Sequence, residues 1–448
     1  MKILAIGYYD DYARFFLSIK KTLEKKDNNI NFKYLNIYFS GFLYWLFNNK
    51  EFTNIISFKA WMKVLLNKSK YEKVIMNQYY KNINLDSIIR FDKTLNKLNE
   101  EDSKLLKLQA CSYIDIIEQL LIDYRPNILL LSDDSKLVIE IIDLFAKKYK
   151  IKTFYFEQGP FGTTILDNKG VNANASIRNI LLNDVYDNFE NKKEKIDNFF
   201  NRDKDNKYKR NPIYRASDYI LECVFKFTPF LPIDLRRYNT INNNTEIYQF
   251  LKLNKKLDKK IFKEDNNILL ILQVPFDVNL VYHSPLFENH YDVVNTVFNS
   301  IPDGYNLIIR EHPLYKSKYE NELYEIIKDN QNIYLDIDSN LSDTMENSSI
   351  IIVNNSTVGI ESIAKFKNTI VLGNSYYDNN QICFKLENKE ELDTLIKKAL
   401  TIKLNKKLIV DYLYKLCFNF LIDGHFRDNN LISSKYIVNK LLRNIYDI

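Results

Sequence analysis

Short apolar runs, each followed by a stretch of helix length, recur along this chain and limit what it can fold into. Lys2–Ile6, Phe32–Tyr38, Asn127–Ser132 and Ile151–Phe156 read as strands in the first half. Asn267–Gln273, Tyr305–Ile309, the residues around Tyr334, Ile350–Val353 and Thr369–Leu372 repeat the pattern in the second. Runs such as NILLLS are apolar throughout rather than alternating, which suits strands covered on both faces. Helical segments alternate with them, among them Ala13–Lys25, Lys104–Asp123 and Lys318–Asn330. Such an order builds βαβ units and parallel, doubly wound sheets. The predicted class is α/β: two Rossmann-like domains with a central cleft, closed by a helical C-terminus.

Length and composition agree with that class. A chain of 448 residues exceeds what one core of ~250–300 residues supports. The predicted domains are residues 1–255, with a charged, Pro- and Asn-rich excursion near 200–255, then 256–420, then C-terminal helices at 421–448 that pack back on the first domain. Gly41–Leu66 is aromatic and predicted helical. The net charge of +6 is too mild to argue for nucleic acid. Four scattered cysteines suggest neither a disulfide framework nor a zinc site. With no signal-peptide pattern and no apolar run near ~20 residues, the expectation is a cytoplasmic chain without a spanning helix.

Glycine is scarce, nine in the chain, yet EQGPFGTTILDNKGVN holds three of them, Gly159, Gly162 and Gly170. The stretch follows an apolar strand, so it is expected at the carboxyl end of a parallel sheet, where ligands bind. Glu157 and Asp167 are its acids. A ligand-facing loop and a tight connection needing positive φ are the two readings of its glycines.

Strand ends in the second half carry the other unusual residues. Arg310, Glu311, His312 and Pro313 follow NLII; the functional reading is a cationic pair, Arg310 with His312, facing a phosphate, and the plain reading is a strand cap with an Arg310–Glu311 ion pair. Asn355, Ser356, Thr357 and Gly359 stand between a strand and a helix carrying Glu361, a pattern suited to an anion at a helix start, with Glu361 accepting from ribose hydroxyls. Simple capping explains one such residue, not several. Gln273 and Asp277 follow another buried strand. Asp336-Ile337-Asp338 has the spacing of a metal–nucleotide motif but reads as an ordinary strand end, and Asp133-Asp134 as a loop and helix cap. No P-loop, GxGxxG or Ser-His-Asp spacing is present.

Taken in order, Glu157-x-Gly159, Gly170-Val171-Asn172 with Ser176, Gln273 with Asp277, Glu311-His312-Pro313, Asn355 to Gly359 with Glu361, and Leu372-Gly373 resemble the capsule polysaccharide biosynthesis family, which includes bacterial β-Kdo transferases. The resemblance covers roughly residues 125–380. It implies a GT-B-like fold, a CMP-activated sugar acid as donor, no metal or other cofactor, and catalytic acids from the first half. Glu157 or Asp167 then acts as base or nucleophile. Ser356, Thr357 and His312 hold the phosphate; Gly159, Asn172, Gln273, Asp277, Arg310, Asn355, Gly359 and Glu361 complete the binding set. The chain departs from those transferases after Gly159, where Pro160–Thr164 is short and lacks an aspartate. The implied acceptor is a lipid-linked glycan at an anionic inner membrane, with Arg202, Lys204, Lys207, Lys209, Arg210, Arg215, Arg236 and Arg237 as a candidate contact. A CDP- or UDP-activated donor, such as one carrying glycerol phosphate, and a non-catalytic polysaccharide-binding or export module are the alternatives.

Overall fold

The computed structural model describes all residues except 183–187, 237–241, 259–260, 264–265, 276 and 447–448; Arg237 therefore lies outside the described residues. Its two main sheets use β1 Lys2–Gly7, β2 Asn31–Asn36, β3 Asn54–Ile55, β4 Ile128–Leu131, β5 Lys152–Gln158, β6 Thr163–Asp167, β7 Asn267–Ile271, β8 Asn306–Arg310, β9 Ile333–Leu335, β10 Ile350–Val353, β11 Thr369–Val371, β12 Phe384–Lys385 and β13 Leu421–Asp423. The chain divides into two compact units. The first comprises Met1–Val171, Arg202–Asn239 and Phe420–Ile448; the second comprises Asn172–Asn201 and Thr240–Asn419. This differs from a single boundary at 255/256, because residues 172–201 belong with the second unit.

The first unit holds a seven-stranded sheet in the order β13-β6-β5-β4-β1-β2-β3. β1 to β5 pair in parallel, as the apolar runs require. Asn127 directly precedes β4 and its Oδ1 accepts the Lys2 N–H at 2.7 Å, which ties the start of β4 to the start of β1. The segment predicted as one helix at 41–66 is two helices, Phe39–Asn49 and Ile56–Leu66, with β3 between them. Glu100–Tyr124 is a long helix whose first turn is all acidic and whose Asn99 Oδ1 accepts the Asp102 N–H, both favourable at a helix start. Phe15 meets Phe156 edge-on at 5.4 Å inside a core shared with Ile3, Ile128 and Phe154.

Residues 157–172 form neither a single loop nor a strand-to-helix connection. β5 turns at Pro160–Gly162 and runs back antiparallel as β6, with Glu157 opposite Ile165 and Tyr155 opposite Asp167. Phe161 and Gly162 both take positive φ in that turn, +59° and +76°, the second at a residue suited to it. The C-terminal residues are helical but also add β13, antiparallel to β6. Helix Ile432–Tyr446 contributes Ile437, Val438 and Leu441 to the first unit's core.

The second unit is a wholly parallel six-stranded sheet, ordered β9-β8-β7-β10-β11-β12. Renumbered within the unit this is 3-2-1-4-5-6, the Rossmann order. Ile268, Leu270, Leu307, Ile309, Ile350 and Ile352 are fully buried at its centre. Two α/β units of this type and a helical C-terminus are the class the strand pattern predicts.

Candidate functional site

In the second unit the chain leaves β7 for β8 and β9 on one side, then returns to begin β10 on the other. Loops from the carboxyl ends of β7 and β10 part at that point, which is where open α/β sheets take ligands. A cavity of about 150 Å³ is lined there by Gln273, Asp277 and Asn279 after β7 and by His312 after β8. Asn355, Ser356 and Thr357 after β10, Ser375 and Tyr376 after β11, and Asn172 complete most of the wall. Seven residues chosen from sequence thus converge: Asn172, Gln273, Asp277, His312, Asn355, Ser356 and Thr357.

Three buried side chains of this cavity keep open hydrogen-bonding capacity. Gln273 is 5% exposed, and neither its Oε1 nor its Nε2 has a hydrogen-bond partner among the described residues. Asn355 Nδ2 donates to the carbonyls of Asn279 and His283 at 3.0 and 3.1 Å, which aims the amide and leaves Oδ1 unpartnered. The Tyr376 hydroxyl is also buried without a hydrogen-bond partner among the described residues, its pKa pushed up chiefly by burial and further by Tyr412, Tyr377 and Glu361. Buried polar groups are nearly always bonded in folded proteins, so these atoms are available to bound water or to a ligand. A larger groove of about 790 Å³ in the first unit is lined mostly by helical residues, among them Lys73, Lys93, Lys104 and Lys107, and among the described residues only Ser103 Oγ of its lining is buried without a partner.

His312 enters the site as a neutral donor. Its Nδ1 accepts the Leu314 N–H at 3.3 Å, so the ring proton belongs on Nε2. Burial lowers its pKa below the ordinary value, which keeps the imidazole uncharged near pH 7. The cationic Arg310–His312 pair expected from sequence does not form. Arg310 does not line the cavity; its Nη1 bonds Asp336 Oδ2 at 2.5 Å and the Ser339 carbonyl at 3.0 Å. Neither is Glu311 its partner, since that buried carboxylate accepts from Tyr324 Oη at 2.5 Å and the Ser317 N–H at 3.1 Å. Asp338, the other acid of the Asp-x-Asp run, is exposed and pairs with Lys256.

Gly359 and Glu361 do not line this cavity. A side chain at Gly359 would strike the ring of Tyr377, whose hydroxyl donates to the Ser356 carbonyl and holds the turn before helix Val358–Ala364. Ser356 Oγ accepts the Val358 N–H at 3.3 Å and closes the turn that leads into the helix, whose N-cap residue Thr357 makes no side-chain cap bond. Arg178 and Asp378, which sequence reasoning missed along with Tyr376, tie segment 172–179 to the loop after β11 through two hydrogen bonds. The run Ser375-Tyr376-Tyr377-Asp378, in the loop after β11, is the weak signal that sequence offers for Tyr376 and Asp378.

The first unit has its own point of reversal, between β1 and β4. Tyr8 follows β1 and Asp133 follows β4. Asp133 has φ +120°, which non-glycine residues rarely adopt, and its carboxylate accepts from the Ser135 N–H at 3.0 Å and Ser135 Oγ at 2.7 Å. Burial, then Asp133, with a smaller part from Glu157, raises the pKa of Tyr8, whose hydroxyl is unpartnered among the described residues. Glu157 also acts on Tyr12, second to burial. Asp167 shares the sheet face of Glu157 but serves a turn, its Oδ1 accepting the Lys169 N–H at 2.7 Å. Gly159 packs against Thr163 within the hairpin.

The family described as Capsule polysaccharide biosynthesis protein matches residues 140–391, more than half of the chain. The chain belongs to the capsule polysaccharide biosynthesis family. Every cavity residue named above, with Glu157 and Asp167, lies inside the match. No curated relative matches. Solved structures similar to this family member include a UDP-GlcNAc 2-epimerase from Neisseria meningitidis bound to UDP-GlcNAc, at 12% identity and TM-score 0.35 over 99% of this chain and 100% of that one. Another is the β-Kdo 2,7 transferase of Thermosulfurimonas dismutans KpsC, at 13% identity and TM-score 0.36 over 79% and 95%. The β-Kdo 2,4 transferase of the same KpsC has 11% identity and TM-score 0.37 over 64% and 79%.

Other features of this capsule-family chain bear on its partners. Among the described residues no helix is long and apolar enough to cross a membrane, and no three His, Cys, Asp or Glu side chains gather as metal ligands would. Of the basic stretch singled out in the sequence, Arg202 pairs with Asp423 at 2.7 Å, Arg210 with Asp10, and Arg215 with Asp218 at 3.2 Å. Arg236 lies 3.5 Å from Asp102, while Lys204, Lys207 and Lys209 remain exposed.

Proposed function

We propose that this capsule-family chain is a glycosyltransferase of surface polysaccharide synthesis, moving a Kdo-like sugar acid from a CMP-activated donor to a lipid-linked glycan. The open hydrogen-bonding capacity of Gln273, Asn355 and Tyr376 at the second unit's strand reversal carries this reading. The donor nucleotide takes that cavity: the amides of Gln273 and Asn355 meet its polar edges. His312 Nε2–H and the hydroxyls of Ser356 and Thr357 donate to phosphate oxygens. A neutral histidine suits this role, because it adds a donor without adding charge that must be desolvated.

Loss of the nucleotide leaves an electron-poor anomeric carbon, which a carboxylate stabilises or captures, or toward which a base directs the acceptor hydroxyl. Glu157, set beside Tyr8 and Tyr12 in the first unit, is the proposed acid. Asp167 is the second candidate.

Thermal shift with CMP, CDP and UDP tests the donor class, since a ligand at ~100-fold its Kd stabilises by about 2.7 kcal/mol. Stabilisation by CMP, followed by CMP release from CMP-Kdo, supports the reading. Preference for CDP or UDP moves the donor to the alternative class. Failure to bind any nucleotide by calorimetry leaves the non-catalytic module.

A further inference from the structure

Helix Pro212–Phe225 is inside out. Its buried side chains are the acids Asp218 and Glu222, one turn apart. Asp218 accepts the Ser40 N–H at 2.8 Å and Arg215 Nη1 at 3.2 Å, which fixes this face inward. Pro212 at the first turn and the Asn211 side chain, accepting the Ile213 N–H at 3.0 Å, give the helix a firm start. At 100° per residue Ile213, Ile220 and Val224 share the opposite face, and Phe227 continues the line past the helix end. These four are 67%, 59%, 61% and 92% exposed.

The stripe is about 20 Å long by the helical rise. Scattered apolar residues on a surface are ordinary, but a continuous line on one helix marks a face that something apolar covers. Lys209 precedes the helix and Lys226 caps its end, both exposed and without an acid paired to either among the described residues. The neighbouring arginines are held in ion pairs, so the lysines carry the accessible charge of this edge.

We propose that this face docks on an anionic lipid surface. Ile213, Ile220, Val224 and Phe227 enter the boundary between headgroups and acyl chains, and Lys209 and Lys226 lie at the level of the lipid phosphates. Helices that rest in a bilayer interface combine these two elements. A second copy of the chain fits less well. Two such faces together oppose lysine to lysine, while Asp218 and Glu222 point inward and offset nothing.

This inference is independent of the donor reading, because vesicle binding is measured without nucleotide and nucleotide binding without vesicles. The full chain is co-sedimented with phosphatidylcholine vesicles, with and without phosphatidylglycerol. Binding is expected with the anionic lipid and falls with salt. Ile220→Asp with Val224→Asp lowers the vesicle affinity about tenfold or more, with the melting temperature of the soluble protein kept as the control for folding. Lys209→Gln with Lys226→Gln removes the salt dependence. Cys223, the exposed cysteine beside three buried ones, takes an environment-sensitive fluorophore that shifts to the blue on vesicles. Unchanged sedimentation of the double aspartate variant overturns the proposal. So does a soluble dimer that this variant converts to monomer, which assigns the face to self-association.

Discussion

Arg178 and Asp378 face each other through two parallel hydrogen bonds, Nε to Oδ1 at 2.9 Å and Nη2 to Oδ2 at 2.7 Å. The same carboxylate accepts the Ser375 N–H at 3.1 Å, and Arg178 Nη2 also reaches Asn374 Oδ1. One guanidinium thus holds the loop that presents Ser375 and Tyr376 to the cavity. Lysine matches the charge but not the fork. Arg178→Lys is expected to lower stability by about 1–2 kcal/mol and to weaken nucleotide binding as well. Equal nucleotide affinity in calorimetry, at an equal melting temperature, would show that the pair does not organise the site.

Gln273 and Tyr376 invite the opposite trade. A buried group left unpaired costs roughly 1–3 kcal/mol, and an apolar replacement of similar shape removes that cost. Gln273→Leu and Tyr376→Phe are therefore expected to raise the melting temperature of the ligand-free protein. Each also weakens the nucleotide by about tenfold. Destabilisation by both variants would mean that bonds inside the protein, not a ligand, satisfy these groups.

Both sheets were legible because buried parallel strands are apolar at every position, and the residues ending them carry what the loops need. That is why Gln273, Asn355, Ser356 and His312 were found together. Arg310 misled because an arginine beside a histidine looks the same in sequence whether it faces a ligand or Asp336, a partner contributed by the adjacent strand end. The glycine-rich stretch misled for a related reason. Positive φ serves a hairpin turn as well as a ligand loop, and nothing local distinguishes an antiparallel return from a crossover. Tyr376 and Asp378 were hidden by composition: in a chain with 32 tyrosines, one more carries little signal.

Acid should destabilise the protein through two buried histidines. Burial holds His290 and His425 at about 4, and Lys207 and Arg427 add to the effect at His425. The unfolded chain binds these protons near pH 6.5 and the folded chain does not. Their contribution is complete above about 6.5 and lost as pH falls toward 4, at up to about 1.4 kcal/mol per pH unit for each histidine. His290 stacks edge-on against Tyr319 at 5.0 Å, so His290→Phe keeps an aromatic partner and removes the titration. Denaturant unfolding at pH 7 and pH 5 should show a smaller loss on acidification for the variant than for the parent. An identical loss would place the acid sensitivity elsewhere.

Glu157 and Asp167 occupy one face of the β5–β6 hairpin, yet their surroundings assign them different work. Asp167 turns its Oδ1 back to the Lys169 N–H, a bond that asparagine also makes, so Asp167→Asn should keep both the fold and most of the turnover. Glu157 lies where its charge acts on Tyr8 and Tyr12, next to the strained Asp133 at the first unit's strand reversal. Glu157→Gln keeps the shape and a hydrogen-bond acceptor but not the base or nucleophile. Nucleotide release from CMP-Kdo in the presence of acceptor should fall by about 100-fold or more, with nucleotide affinity unchanged in calorimetry. A loss confined to Asp167→Asn would reverse the assignment. Full turnover by both single variants and by the double variant would remove the hairpin from the chemistry.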